Sequence, residues 1–183
     1  LTTIAMRFVL TYFLLFFIIF SFTQTTIPIE SKDYAIVMQT DEEQRLRQVY
    51  FGKKLNAATD YQLIAKQLRY NGVNEDVFNH SYTPNGTWNV SEPALQILHA
   101  DGNPSTELHY SSHKTEKEND NISLTIITLK DPLYQTEVQL HYRVFHQENL
   151  FEQWAVIHNS EKGKITLDKY ASANLNFRND NFH

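Results

Sequence analysis

The sequence predicts an all-β protein: an antiparallel β-sandwich with one short helix in a loop, preceded by a hydrophobic N-terminal leader. The first observation is the strict alternation of apolar and polar residues over 136–145, the pattern of a strand with one buried and one wet face. The second is the close spacing of such runs, which is typical of a sandwich. Clusters of turn-forming residues separate the runs at 114–121, 130–132, 146–149 and 159–164.

The leader has the pattern of a secretory signal peptide. Residues 8–20 form an apolar run that only Thr11 interrupts, Arg7 precedes the run, and small polar residues follow it. The run is shorter than the roughly 20 residues that a membrane-spanning helix needs. We therefore expect residues 1–23 to be upstream residues plus a signal peptide that starts at Met6, and the chain to be exported to the periplasm or secreted. An uncleaved membrane anchor is the alternative.

Two strands and the helix are predicted in the first part of the domain. The strands cover residues 34–38 and 45–51, which are rich in apolar and aromatic side chains. For the helix, Thr59 and Gln62 form a capping-box pattern, and apolar residues follow at helical spacing. We place this helix in a long excursion of the chain over residues 56–82.

Residues 82–104 combine several turn signals with one short strand. The Pro-Asn-Gly at 84–86 and the Asp-Gly-Asn-Pro at 101–104 favour tight turns, because Gly and Asn tolerate positive φ and Pro fixes φ. Pro93 suits the first position of a strand, since it cannot donate to a ladder. A strand is therefore predicted at 94–99.

The second half of the chain supplies the remaining strands and most of the core. In residues 150–158, apolar side chains occupy both alternating sets of positions, so both faces of the strand are apolar. This predicts a central strand covered on both sides, with Trp154 in the core. Trp88, in the turn-rich segment, is instead our candidate for contact with a ligand or partner. The strands of this half are predicted at 107–113, 122–129, 136–145, 150–158 and 165–175.

Charge and cysteine content exclude several classes of function. The formal net charge is -5 and no Lys/Arg cluster is present, which argues against nucleic-acid binding. The chain has no Cys, which excludes disulfides, a thiol nucleophile and a lipid anchor on an N-terminal Cys. The fold must therefore be held together by its core.

Neither a catalytic nor a metal site is predicted in this chain, and substrate-binding residues are not assigned. The acidic residues at 41–43 and 116–120 fall in turns, where we expect solvated side chains. His109 and His113 share one face of a strand but would stand ~13 Å apart at about 3.3 Å per residue, too far for one ion. No Gly-rich phosphate loop is present, and no cofactor is predicted. The other histidines considered are expected at the surface or at strand edges: His99, His141, His146 and His158.

Several segments together resemble the N-terminal domain of glycoside hydrolase family 36 α-galactosidases, in the secreted bacterial branch. Their order from about Tyr34 to Leu175 makes the resemblance more specific than any single motif. The segments are YFGKKL at 50–55, NGTWNVSEPALQ at 85–96, HADGNPS at 99–105, the run 124–134, EQWAVI at 152–157 and KYASANL at 169–175.

The resemblance implies that residues 34–183 belong to a β-supersandwich that precedes a (β/α)8 barrel. In the family, that barrel holds an Asp nucleophile and an Asp acid/base for retaining cleavage of terminal α-galactosyl groups. We expect the chain to be truncated before the barrel and to carry no catalytic residue. The implied partners are an α-galactoside oligosaccharide, bound by the full-length enzyme, the missing barrel, and further copies in a homo-oligomer. Asp60 and Asp76 lie where the family can lend a substrate-lining acidic residue, but no motif transfers that role to them.

The sequence therefore favours the non-catalytic N-terminal domain of an exported retaining α-galactosidase that hydrolyses terminal α-galactosyl residues of oligosaccharides. Two alternatives remain open: a free-standing carbohydrate-binding β-sandwich and a purely structural module. For a truncated sandwich we also expect unpaired edges and an apolar face that promote self-association.

Overall fold

The computed structural model describes residues 24–67, 80–87 and 92–175, with side chains omitted at 65–67. The predicted leader, Asp76 and Trp88 lie outside these residues. Among the described residues, no helix is long and apolar enough to cross a membrane. The elements are β1 (Thr26–Glu30), β2 (Tyr34–Thr40), β3 (Leu46–Lys53), α1 (Ala58–Gln67), β4 (Leu95–Leu98), β5 (His109–Lys117), β6 (Ile122–Lys130), β7 (Thr136–Phe145), β8 (Leu150–Asn159) and β9 (Thr166–Tyr170).

The strands form three antiparallel sheets. Their orders are β1-β2-β3, β4-β9 and β5-β6-β7-β8. In the four-stranded sheet, Val138 of β7 lies opposite Leu129 of β6 and Ile157 of β8. This register places the alternating apolar side chains of β6, β7 and β8 on the same face of the sheet, as the alternation in β7 predicts.

The core lies between the three-stranded and the four-stranded sheets. Ile27 of β1 and Met38 of β2 belong to the same buried cluster as Leu140 and Tyr142 of β7. Burying one such side chain fully contributes about 1.5–3 kcal/mol relative to leaving it exposed. The sequence-based prediction of an antiparallel sandwich is thus confirmed.

A turn residue ties the two main sheets together at one end. Asn149, in the β7–β8 turn, adopts a positive φ of 54°, which Asn tolerates better than most residues. Its Oδ1 accepts hydrogen bonds from the Ser31 hydroxyl at 2.8 Å and from the Asp33 N–H at 2.9 Å. Ser31 and Asp33 lie in the β1–β2 turn, so the two hairpins are held in one arrangement.

The helix is present as predicted, but its cap is not the predicted capping box. α1 begins at Ala58, and the Ala57 carbonyl accepts the N–H of Asp60 at 3.0 Å. Thr59 therefore lies inside the first turn rather than at the cap. Tyr61 packs on Ala35 and Val37, and this contact covers the face of β2 opposite the main core.

The sequence pattern missed β1. Ile27 and Ile29 are buried, and Pro28 between them is exposed. Because Pro cannot donate to a ladder, it is tolerated here at the edge of the three-stranded sheet.

The prediction that residues 150–158 form a central, doubly covered strand is wrong. β8 is an edge strand, paired only with β7 among the described elements. Its inward side chains, such as Phe151 and Ile157, pack against the core. Trp154 is half-buried on the opposite face, where its ring stacks on His141 at 4.8 Å and lies 5.1 Å from the Arg143 guanidinium carbon. Within the described residues, this stacking accounts for the apolar Trp154 side chain on the outer face of β8.

Candidate functional site

Four loops meet at one end of the sandwich. They are residues 80–87, 99–107, 131–135 and 159–163, and backbone hydrogen bonds join them. The Thr106 N–H donates to the Asn85 carbonyl at 2.9 Å, and the Ser160 N–H donates to the Gln135 carbonyl at 2.9 Å. The turn-rich segment that the sequence singles out thus builds much of this end of the molecule.

Gly86 allows the first two loops to meet. Its φ is +93°, and a Cβ there would lie 2.5 Å from the Cα of Ser105. Only a residue without a side chain fits, because both the backbone angle and the space exclude one. Asn85 reinforces the contact, since its Nδ2 donates to the Pro104 carbonyl at 3.1 Å.

A buried histidine joins the loops 99–107 and 159–163 through hydrogen bonds. His99 is 2% exposed, so the prediction of a surface or strand-edge position is wrong for this residue. Its Nδ1 lies 2.8 Å from Oε1 of Glu161, and its Nε2 lies 2.9 Å from the Thr106 hydroxyl. A carboxylate only accepts, so Nδ1 donates to Glu161, while Nε2 and the Thr106 hydroxyl share the second hydrogen bond.

Glu161 is held as a carboxylate by this arrangement. Burial disfavours the charge, but the hydrogen bonds from His99 and from the Ala100 N–H outweigh it and lower the pKa of Glu161. The side chain is 8% exposed. Glu161 is therefore a fixed acceptor within the fold.

Tyr134 lies flat against the histidine. The two rings are 3.6 Å apart between centroids and 8° from parallel. The Tyr134 hydroxyl donates to Oδ2 of Asp101 at 3.0 Å and accepts from Nδ2 of Asn103 at 2.8 Å. The hydrogen bonds from the Asn103 N–H and from Tyr134 lower the pKa of Asp101. The aromatic ring is thus fixed on both its face and its tip.

Asp131 shapes the β6–β7 turn. Its Oδ1 accepts the N–H groups of Leu133 at 2.7 Å and of Tyr134 at 2.9 Å, and its Oδ2 accepts the N–H of Glu107 at 2.8 Å. Asp131 is 8% exposed, whereas Leu133 is 84% exposed. The turn therefore presents an apolar side chain to solvent beside a fixed aromatic ring.

An acidic turn positions Arg45 at the same end. Oδ2 of Asp41 accepts from Nε of Arg45 at 2.8 Å and from Nη2 of Arg47 at 2.8 Å. Burial opposes the charge on Asp41, but the Arg45 N–H and the two guanidinium charges lower its pKa. The hairpin turn at 41–43 is confirmed, but Asp41 is not the solvated side chain that was predicted, since it is only 14% exposed.

These loops enclose a surface pocket of about 220 Å³. Charged, amide, hydroxyl, aromatic and aliphatic side chains are all represented in its wall. The lining residues are Arg45, His80, Gly86, Thr87, Asn103, Ser105, Thr106, Glu107, Asp131, Leu133 and Tyr134.

The two histidines of β5 do not form a metal site. A bulge lies between Tyr110 and Ser112, so His109 and His113 do not keep the regular strand register. His109 lies 2.9 Å from Glu107, and Nδ1 of His113 lies 2.7 Å from the Tyr110 hydroxyl. No group of three His, Asp or Glu side chains able to hold a metal ion occurs in the described part of the chain.

The other acidic residues considered from the sequence occupy separate surroundings. Glu116 and Asp120 are exposed and pair with Lys114 and Lys117, as expected for solvated side chains, although Glu116 lies in β5 rather than in the predicted turn. Asp60 lies in the first turn of α1. Asp101, Asp131 and Glu161 all accept N–H bonds, and the sequence marks their positions only through the turn signals at 101–104, 130–132 and 159–164.

Chemically, the loop end is suited to binding rather than to proton transfer. Its buried carboxylates are engaged in hydrogen bonds that fix loops, and its pocket offers both donors and acceptors. A rigid concave surface with few convergent polar groups is the usual form of a small-ligand site.

The comparisons with known proteins agree on one family. The model of the glycosyl hydrolase family 36 N-terminal domain matches residues 44–183. The chain is 27% identical over 166 residues to the bifunctional α-galactosidase/sucrose kinase AgaSK of Mediterraneibacter gnavus, covering 76% of this chain and 17% of that enzyme. It is 21% identical over 178 residues to the α-galactosidase Mel36A of Lactobacillus acidophilus, covering 84% of this chain and 24% of that enzyme.

Solved structures show the same fold. The α-galactosidase of Lactobacillus brevis superposes with a TM-score of 0.70 at 18% identity, over 84% of this chain and 24% of that one. The family 36 α-galactosidase AgaA of Geobacillus stearothermophilus gives a TM-score of 0.69 at 19% identity, over 81% of this chain and 24% of that one. The chain spans about a quarter or less of the length of these relatives.

Proposed function

Because the chain belongs to the glycosyl hydrolase family 36 N-terminal domain family, we propose that it is the non-catalytic N-terminal part of an exported, retaining α-galactosidase. The observation that carries the proposal is the match of the family model to residues 44–183. The sandwich fold, which the chain shares with the α-galactosidases of Lactobacillus brevis and Geobacillus stearothermophilus, supports it.

The reaction would be hydrolysis of a terminal α-galactosyl residue from an oligosaccharide. Structures of AgaA variants from Geobacillus stearothermophilus have been solved in complex with stachyose and raffinose. A retaining mechanism uses two carboxyl groups about 5–5.5 Å apart, one as nucleophile and one as acid/base. We assign both groups to the catalytic barrel that the family resemblance implies.

The carboxylates of this chain support a structural role instead. Asp41 is bound by Arg45 and Arg47, and Asp131 accepts three N–H groups. The oxygens of these two carboxylates are engaged in bonds that fix loops, which leaves neither group free to attack or protonate a sugar. The domain would contribute a rigid frame beside the barrel and shape the entrance of its site.

Export is part of the same proposal. The Arg-flanked apolar run within residues 6–23 is the feature that supports it. We expect this segment to be removed, which gives a mature N-terminus near Gln24.

The test uses the whole protein in which the chain occurs. An affinity tag is placed in the exposed turn at 118–120, and the protein is purified from the source cells and their medium. We expect it to release galactose from raffinose, to form α-galactose first when the reaction is followed by NMR, and to begin near Gln24 by mass spectrometry. A purified whole protein without α-galactosidase activity would reject the proposal, and release of β-galactose would reject the retaining mechanism.

A further inference from the structure

We propose that the pocket between residues 84–87, 103–107 and 131–134 binds one pyranose ring of a neutral oligosaccharide. The proposal goes beyond the function proposed above, because it assigns sugar binding to side chains of this chain itself. It rests on the size of the pocket, on its polar groups, on its charge balance and on its apolar wall.

The size of the pocket fits one sugar ring. A volume of about 220 Å³ corresponds to roughly seven water molecules at about 30 Å³ each. A pyranose displaces a cluster of water molecules of this order and replaces their hydrogen bonds with those of its hydroxyls. Drug-sized ligands, by comparison, occupy pockets of about 300–1,000 Å³.

Three side chains of the wall retain hydrogen-bonding capacity that a sugar hydroxyl can use. Within the described residues, the Ser105 hydroxyl makes no hydrogen bond, although its N–H donates to Oδ1 of Asn103 at 3.0 Å. Asn103 uses one Nδ2 hydrogen on Tyr134 and keeps the other. Glu107 places one carboxylate oxygen 2.9 Å from His109 and keeps its second oxygen as an acceptor.

The charges of the pocket favour a neutral ligand over an anion. The guanidinium of Arg45 is already paired with Asp41 at 2.8 Å and with Glu43 at 2.6 Å. Two carboxylates, those of Asp131 and Glu107, line the same space. A phosphate or a sugar that carries a carboxylate would be repelled by these negative charges, and the positive charge of Arg45 is already balanced by Asp41 and Glu43.

Leu133 and Tyr134 give the pocket an apolar side. Sugar rings present C–H groups that pack on flat aromatic and aliphatic surfaces. The backbone of both residues is held by Asp131, and the Tyr134 ring stacks on His99. An aromatic ring fixed before binding loses little side-chain freedom when the ligand arrives.

The experiment is a titration of the full chain followed by ¹H–¹⁵N NMR. The probes are methyl α-galactoside, methyl α-glucoside and raffinose, with sodium phosphate as the anionic comparison. We expect saturable shifts of the signals of residues 103–107 and 131–134 with a neutral sugar in the millimolar range, as suits a small ligand in an open site.

Two substitutions test the pocket without reaching the core. Leu133→Ser removes the exposed apolar wall, and Glu107→Gln keeps the backbone bond to Asp131 but removes the charge. We expect the dissociation constant to rise about fivefold and about tenfold, respectively. The matched controls are Leu63→Ser and Glu116→Gln, which change exposed side chains on α1 and β5 and should leave the affinity unchanged.

Three results of these experiments would each overturn the proposal. Absence of saturable shifts with every neutral sugar up to about 100 mM would overturn the proposal. Tighter binding of phosphate than of the sugars would also overturn it, as would sugar affinity that neither pocket variant changes. None of these results depends on hydrolysis, so the proposal and the α-galactosidase function can fail independently.

Discussion

At the residue scale, the hydrogen bonds of His99 decide the geometry of the loop end. The ring lies between Glu161 and Thr106 and carries Tyr134 on its face. Removing Glu161 or Thr106 would leave a buried nitrogen of His99 without its hydrogen bond, which costs about 1–3 kcal/mol. The position of Tyr134 in the pocket wall therefore depends on the contacts among His99, Glu161 and Thr106.

The glycines of the two turns show which positions tolerate a side chain. We expect Gly86→Ala to lower the free energy of unfolding by about 3 kcal/mol or more, because it combines a positive φ with a Cβ 2.5 Å from Ser105 Cα. Gly102→Ala is the matched control: its φ is +86° but nothing lies within 4 Å, so we expect a loss of only about 1 kcal/mol. Urea unfolding of both variants measures the difference, and equal losses would contradict the close approach at Gly86.

Acid should weaken the fold through its held carboxylates. The pKa values of Asp41 and Glu161 are lower in the folded chain than in the unfolded chain. The folded state then binds fewer protons, so their stabilising contribution is complete above the unfolded pKa values and is lost as the pH falls through the folded ones. We expect the free energy of unfolding to fall between about pH 6 and about pH 3.

Glu161→Gln tests the source of this pH dependence. The variant loses one titrating carboxyl, so its stability should fall less steeply over the acid range than that of the parent chain, although it starts lower. Glu116→Gln, which alters an exposed carboxylate, should keep the parent slope. A Glu161→Gln variant with the parent slope would show that the His99–Glu161 bond does not hold the pKa down.

Residue types in turns were predictable, whereas buried partners were not. The Gly, Asn and Pro residues at 84–86 and 101–104 mark their turns by local backbone preference alone. The burial of His99 depends on Glu161, which lies 62 residues further along the chain. Local pattern carries no information about such a pair, and a lone His beside a turn reads as a surface residue.

At the element scale, the four-stranded sheet shows which features the sequence periodicity predicts correctly and which it does not. The bounds predicted for β7 are those observed, because its two faces differ sharply in polarity. β8 was predicted with nearly correct bounds but in the wrong position within the sheet. The apolar residues on both its faces do not distinguish a covered central strand from an edge strand whose outer face carries stacked side chains.

Trp154 provides the test of that correction. We expect Trp154→Ala to lower the free energy of unfolding by about 1–2 kcal/mol, since it removes a half-buried ring with a stacking and a cation–π contact. Leu140→Ala, at a fully buried position of β7, should cost about 2–5 kcal/mol. Denaturant unfolding measures both losses. A larger loss of unfolding free energy for the Trp154 variant than for the Leu140 variant would show that Trp154 is a core residue.

At the scale of the whole molecule, the sandwich leaves several apolar groups at its edges. Leu150 of β8 and both Leu167 and Tyr170 of β9 are exposed, and β9 pairs only with β4 among the described strands. The fold class followed from periodicity, and the family followed from motifs in a fixed order. The sheet order did not follow from either, because local sequence does not specify which strands pair across long separations.

The exposed edges predict self-association of the isolated chain. Light scattering should show a mass that rises with protein concentration, because an unpaired edge with apolar side chains can pair with another copy. Leu167→Lys should reduce the effect by placing a charge on that edge, whereas Leu63→Lys on α1 should not. A monomer mass that is constant at all concentrations would contradict the prediction.

The central claim is that this chain is a folded, non-catalytic domain of an α-galactosidase. The most direct measurement is the release of galactose from an aryl α-galactoside by the purified chain, with circular dichroism showing that the sample is folded. The account predicts no release above a protein-free blank, because the catalytic pair is assigned to the barrel and the buried carboxylates of Asp41, Asp131 and Glu161 are engaged in structural bonds. Release above the blank that survives further purification would contradict it.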